Sequence, residues 1–279
     1  MKKPWIIWLL AVLITLTAVY YQRKTGPTHP KFEKIVLNGK EYKLKFLRSY
    51  GEEKDCKINF SIPDKLVEAT IYYKRYPTPD SFIAMPMKRQ GDELVAYLPQ
   101  QPPAGKIAYY IELQEGNNYH YLLKEEPVII RFKGKVPNGI IISHVLLIFL
   151  AMFFSNLAGL FAVAKKDQFR KWAYVAFSLL LVGGMIFGPI MQKYAFGAFW
   201  TGFPNGMDLT DNKTLIAFLF WAIAIIMNIR KKRAGWVVAA AIIMLLINSI
   251  PHSFMGSELD YKSNEVITAS LGEIGVYLL

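Results

Sequence analysis

Five long apolar runs divide the chain: Trp5 to Tyr21, Ile140 to Ala164, Trp172 to Ile190, Leu215 to Ile229 and Ala234 to Ile250. Each approaches the roughly 20 residues that a helix needs to cross a bilayer, with the fourth on the short side. Between the first and second runs the pattern changes to period two, rich in aromatic and β-branched residues. Examples are Tyr42-Lys43-Leu44-Lys45-Phe46, Lys57 to Ile62, Ala69 to Tyr73, Leu94 to Leu98, Ile107 to Ile111 and Val128 to Phe132. Turn signals at Asn38-Gly39, Gly91-Asp92, Pro102 to Gly105 and Gly116-Asn117-Asn118 separate them. The pattern predicts an α-helical membrane bundle of five transmembrane helices, N-terminus inside and C-terminus outside, with an inserted all-β immunoglobulin-like sandwich. The expected divisions are an anchor over 1–21, the sandwich over 22–139, a four-helix membrane domain over 140–254 and a tail over 255–279.

Charge sharpens the topology. The 279 residues are 53% hydrophobic and carry a net charge of +12, with a mean hydropathy of +0.23. Most of that charge sits in three short segments, Lys2-Lys3, Lys165 to Lys171 and Arg230 to Arg233, which hold ten basic residues against Asp167. The remainder is an ordinary soluble surface over 22–139, a neutral 191–213 loop and an acidic tail. Basic residues flanking apolar runs mark the cytoplasmic face, so the charge argues against nucleic acid as a partner. Aromatic Tyr20-Tyr21 at the end of the first run suits an uncleaved anchor better than a signal peptide. The expected location is a bacterial inner membrane, with the 22–139 domain, the 191–213 loop and the tail in the periplasm.

The stretch from Tyr194 to Thr214 is dense in glycine, aromatic and acidic residues for a connection between spans. Its candidate site residues are Trp200, Asp208, Asp211 and Asn212, with Glu258 and Asp260 of the tail expected on the same face. Helix capping by Thr210 or Asp211 accounts for most of the Asp208 to Thr214 stretch. Gly183-Gly184 and Gly188-Pro189 suit close helix packing and a kink.

His144 and His252 fall near the outer ends of the second and fifth runs. Two histidines at similar depth on different helices suit axial ligation of haem b. Joined by the nearby acids, the pair also suits a divalent metal. Interfacial histidines hydrogen-bonded to neighbouring helices are the plainer expectation. Tyr72 and Tyr109 are a candidate ligand platform on the sandwich, against the simpler role of half-buried packing. Cys56 has no partner cysteine and belongs to a strand.

Ile71-Tyr72-Tyr73, Met85-Pro86-Met87, Gly91 to Pro99 and Pro103 to Ile111 together resemble fibronectin type III-like and immunoglobulin-like modules of bacterial extracytoplasmic proteins, over about residues 55–133. That resemblance implies binding, spacing or scaffolding and transfers no catalytic residue. Residues 140–260 resemble uncharacterised bacterial multi-span membrane proteins in Tyr194-Ala195-Phe196-Gly197, Asp208 to Thr214 and Pro251-His252-Ser253, a likeness that brings no activity with it. The expectation is a non-enzymatic membrane protein, in contact with lipid, whose periplasmic domain engages a protein partner. The alternative is a redox or metal-binding subunit of an electron-transfer complex. Transport lacks support, since no pair of interrupted spans is related by internal symmetry.

Overall fold

The computed structural model describes residues 4–251 and 256–267. The chain forms two compact units: a helical unit drawn from 1–27 and 136–256, and a β unit of Thr28–Lys135 completed by Ser257–Ile267.

Among the described residues the helical unit has five rods. They are α1 (Pro4–Thr25), α2 (Asn138–Val163), a third that begins as α3 (Phe169–Leu180) and ends as α4 (Gly188–Phe196), α5 (Leu209–Asn228) and α6 (Ala234–Ser249). Seven residues of π-helix, Leu181–Phe187, join α3 to α4. The first four rods are long and apolar enough to cross a membrane. α6 is apolar but has 16 residues, about 24 Å of helix, less than the ~30 Å of a hydrocarbon core. The five-span expectation is therefore corrected to four. The apolar run that suggested a fifth includes Ile250, which has already turned to extended backbone ahead of Pro251.

Small residues set how closely the rods approach. A Cβ on Gly159 of α2 would lie 2.7 Å from Ala241 Cβ of α6, and one on Gly183 would lie 2.7 Å from Leu147 Cβ of α2. Ala151, Ala158, Ala162, Ala240 and Trp221 belong to the same buried cluster, where small side chains let helix backbones approach closely. One polar chain crosses it, from the Asn156 amide to Thr15 Oγ1 at 3.0 Å and on to the Ala11 carbonyl at 2.7 Å.

The basic connections share one end of this unit. Lys232 pairs with Asp167 at 2.8 Å, and Arg170 donates to the Ile229 carbonyl at 3.0 Å. Trp8 of α1 meets Trp172 of α3 edge to face at 5.0 Å, so the start of α1 lies at that end too. At the other end Lys213, buried in the first turn of α5, donates to the Ile250 carbonyl at 3.0 Å where α6 stops.

The β unit begins with a hairpin, β1 (Lys31–Leu37) and β2 (Lys40–Phe46), turning at Asn38-Gly39, both with positive φ. β3 (Ser49–Tyr50), β5 (Val67–Tyr76), β6 (Ile83–Pro86), β9 (Lys106–Glu115), β10 (Asn118–Leu122) and β11 (Val128–Phe132) form a six-stranded sheet. β4 (Cys56–Ser61), β7 (Lys88–Gln90) and β8 (Glu93–Leu98) form a three-stranded one. After the helices, β12 (Glu258–Asp260) and β13 (Glu265–Ile267) add a second hairpin. One core joins the hairpin and both main sheets, through Leu44, Phe46, Ile58, Phe60, Ile71, Leu94, Ile111 and Phe132.

This arrangement corrects the expectation of an all-β immunoglobulin-like sandwich inserted into a bundle. β3 runs parallel to β11, β1 and β2 form their own sheet, and the unit includes a segment from beyond the helices. Burial alternates as the period-two pattern implies along β2 and β4, whereas β9 is buried without a break from Ile107 to Ile111. Which strands pair, and in which direction, depends on contacts between distant residues that period-two patterning does not carry.

Candidate functional site

In the 197–213 loop, every side chain singled out from the sequence is engaged by the loop's own backbone. The cap of α5 is Asp208 and not the expected Thr210 or Asp211, which already lie inside the helix; Asp208 accepts from the Thr210 N–H at 2.8 Å and the Asp211 N–H at 3.4 Å. One turn on, Asp211 Oδ2 accepts from the Thr201 N–H at 2.7 Å, the Gly202 N–H at 3.1 Å and the Thr201 hydroxyl at 3.2 Å. Asn212 Oδ1 accepts from the Phe203 N–H at 2.6 Å, and the Trp200 indole donates to the Phe203 carbonyl at 3.0 Å. Gly202 is required here, since a Cβ would lie 2.6 Å from Asp211 Cβ. The aspartates and Asn212 thus satisfy amides that the helix start and the loop leave open.

His144 Nδ1 lies 2.9 Å from the Gly183 carbonyl at the π-helical stretch. A carbonyl only accepts, so Nδ1 is the donor in this contact. The other half of the expected histidine pair, His252, lies outside the described residues. Among the described residues no group of three or more His, Cys, Asp or Glu side chains could hold a metal ion.

Glu258 and Asp260 are assigned to the β unit, apart from the loop acids. Glu258 forms an ion pair with Lys106 of β9, and Arg131 of β11 donates to the Ser257 carbonyl. The Tyr261 hydroxyl lies 2.9 Å from the Lys106 N–H and 2.8 Å from the Lys106 carbonyl. Arg75 sits over the Tyr261 ring at 5.3 Å. Burial pushes the Tyr261 hydroxyl above its ordinary range, against the pull of its backbone bond to Lys106 and of the Arg75 charge. Asp260 instead closes its own turn, accepting from the Lys262 N–H and the Ser263 hydroxyl, each at 2.9 Å, and those bonds hold its carboxyl low. Sequence inspection missed Lys106, Arg131 and Tyr261, and only their distance along the chain hid them.

The two candidate platform tyrosines lie on opposite faces of the six-stranded sheet. Tyr109 is fully buried and donates to the Leu47 carbonyl at 2.9 Å, so it belongs to the core. Tyr72 pairs in register with Tyr110, their rings stacked 4.8 Å apart and nearly parallel, with Phe82 edge-on to Tyr110 at 5.0 Å. The Tyr72 hydroxyl donates to Glu112 at 3.3 Å, and Tyr121 bonds the same carboxylate. Burial first, then the Glu112 charge, pushes the Tyr72 hydroxyl up. Glu112 also lines an open groove of about 540 Å³ with Lys65, Glu68, Thr70, Pro86 and Gln114. Period two places residues 70, 72 and 112 on one face once the β5–β9 register is known; it is that register that the sequence withholds. Comparisons with protein families and with curated proteins find no match.

Proposed function

We propose that this is a membrane-resident binding protein, without catalytic activity of its own, whose β unit engages a protein partner at the outer face of its six-stranded sheet. The observation that carries this reading is the groove beside the Tyr72–Tyr110–Phe82 stack, with Glu112 belonging to both. Aromatic and carboxylate groups in and beside a concavity give a partner both contact area and fixed polar partners. The loop acids are engaged by backbone amides, which supports a structural role for them. The grouping of the basic connections at one end of the helical unit supports an inner-membrane orientation with that end cytoplasmic and the β unit periplasmic.

Photo-crosslinking from positions 70 and 121 in native membranes tests the reading. A discrete protein adduct that Glu112→Arg abolishes is the expected result. Adducts absent from both positions, with the protein folded and in the membrane, would overturn it.

A further inference from the structure

The hairpin β1–β2 presents a second surface of different chemistry. Its inner face is buried through Leu37, Tyr42, Leu44 and Phe46. Its turn is tied down by Asn38, whose amide donates to Asp64 at 2.6 Å and whose N–H donates to Glu115. The outer face then carries Phe32, Lys34 and Val36 opposite Lys45, Lys43 and Glu41. Phe32 is 44% exposed and Val36 59%. Lys43 sits over the Phe32 ring at 4.8 Å, and Lys34 is paired with Glu41. Neither Lys43 nor Lys45 has a salt-bridge partner among the described residues. Over residues 31–46 five lysines face two glutamates.

We propose that this hairpin face rests on the anionic headgroups of the membrane that holds the chain, its lysines against lipid phosphates and Phe32 and Val36 in the interfacial layer. The inference rests on the membrane reading above. Lysines interleaved with exposed apolar residues match an anionic lipid surface in both charge and polarity. Connectivity agrees: residues 26–30 alone separate the hairpin from α1, which is apolar enough to span and ends in Arg23-Lys24. A protein partner would be served by the apolar pair, but would have no general need of lysines without an ion-pair partner, Lys43 and Lys45, beside it.

The test uses the full chain carrying Lys40→Cys at the exposed start of β2, with a fluorophore on that thiol. Cys56 is buried and its thiol pushed up to about 12, so the label goes to position 40. The protein is placed in nanodiscs of phosphatidylcholine alone or mixed with phosphatidylglycerol, with nitroxide on the headgroups as quencher. Strong quenching in the anionic discs is expected, lost in pure phosphatidylcholine, in high salt, and on Lys43→Glu with Lys45→Glu. A separate Phe32→Ser variant should weaken the quenching while leaving its salt dependence in place. Quenching that is equal in both lipids, absent from both, or indifferent to charge reversal overturns the inference while the protein still elutes with the discs. Protein that stays in solution without discs or detergent overturns the membrane reading and this inference with it.

Discussion

The Tyr261 hydroxyl sits between the N–H and the carbonyl of Lys106, 2.9 and 2.8 Å away, and so fixes a segment that follows α6 to a strand that precedes α2. Tyr261→Phe leaves a half-buried N–H and carbonyl without this partner while keeping the ring. The expected cost is about 1–3 kcal/mol of β-unit stability. Hydrogen exchange would show it as faster exchange at Lys106 and in β12–β13, with the bundle unchanged.

The same hydroxyl makes the contact sensitive to alkali. Its pKa is raised in the folded state by burial, so the stability it contributes is full below the unfolded value near 10 and is lost as pH rises through the folded value. Tyr109, buried against the Leu47 carbonyl and raised in the same direction, acts with it. Denaturant midpoints for the β unit are expected to begin falling near pH 9, where the unfolded Cys56 thiol ionises and the buried one, raised to about 12, does not, and to fall more steeply above 10 as the tyrosines join. Tyr261→Phe should flatten that fall, and a slope unchanged in the variant would assign it elsewhere.

In the helical unit the sharpest contact is Gly159 against Ala241. Gly159→Ala puts a methyl 2.7 Å from Ala241 Cβ, where neither side chain can move aside. A loss of about 1–3 kcal/mol is expected from unfolding in mixed detergent. Gly159→Ala combined with Ala241→Gly restores the space and should recover most of it, which separates packing from any intrinsic effect of glycine in a helix.

The helices were legible because their signals are local: apolar length, flanking lysine and arginine, and an acid at the start of α5. Even so, hydropathy carries the last apolar run on to Ile250 and suggests a fifth span, because it does not record where the backbone turns extended. Strand positions were legible for the same reason, and the burial of Ile58, Phe60 and Ile71 follows their alternation. Tyr109 and Tyr110 show the limit, since one is core and the other outer face, and only the pairing with Tyr72 and Tyr73 decides which. Lys106 and Glu258 lie 152 residues apart, a separation over which spacing carries no information.

Asp208 and Asp211 are separable by mutation. Asp208→Ala removes the α5 cap at a cost of about 0.5–2 kcal/mol, which Asp208→Asn should largely spare. Asp211→Ala strips the Thr201 and Gly202 amides of their shared acceptor and should open the 197–207 loop to protease while α5 stays helical. Cleavage that appears equally in both alanine variants would mean that the loop is held by the helix start and not by Asp211.

Cys56 reports on the β unit as a whole. Its side chain is fully buried in β4, and burial, with a smaller push from the Glu52 charge, raises its thiol to about 12. At pH 8 the folded protein then holds almost no thiolate, and the sulfur is also out of reach of reagents. Alkylation should be slow in the native protein and rise steeply at the denaturant concentration where β4 separates from β8. Because the site lies in the core shared by both main sheets, Tyr261→Phe should shift that midpoint downward in the same proportion as it lowers global stability of the unit. Fast alkylation of the native protein at pH 8 would instead mean that β4 opens locally, and that the core around Phe46, Phe60 and Tyr109 does not act as one cooperative body.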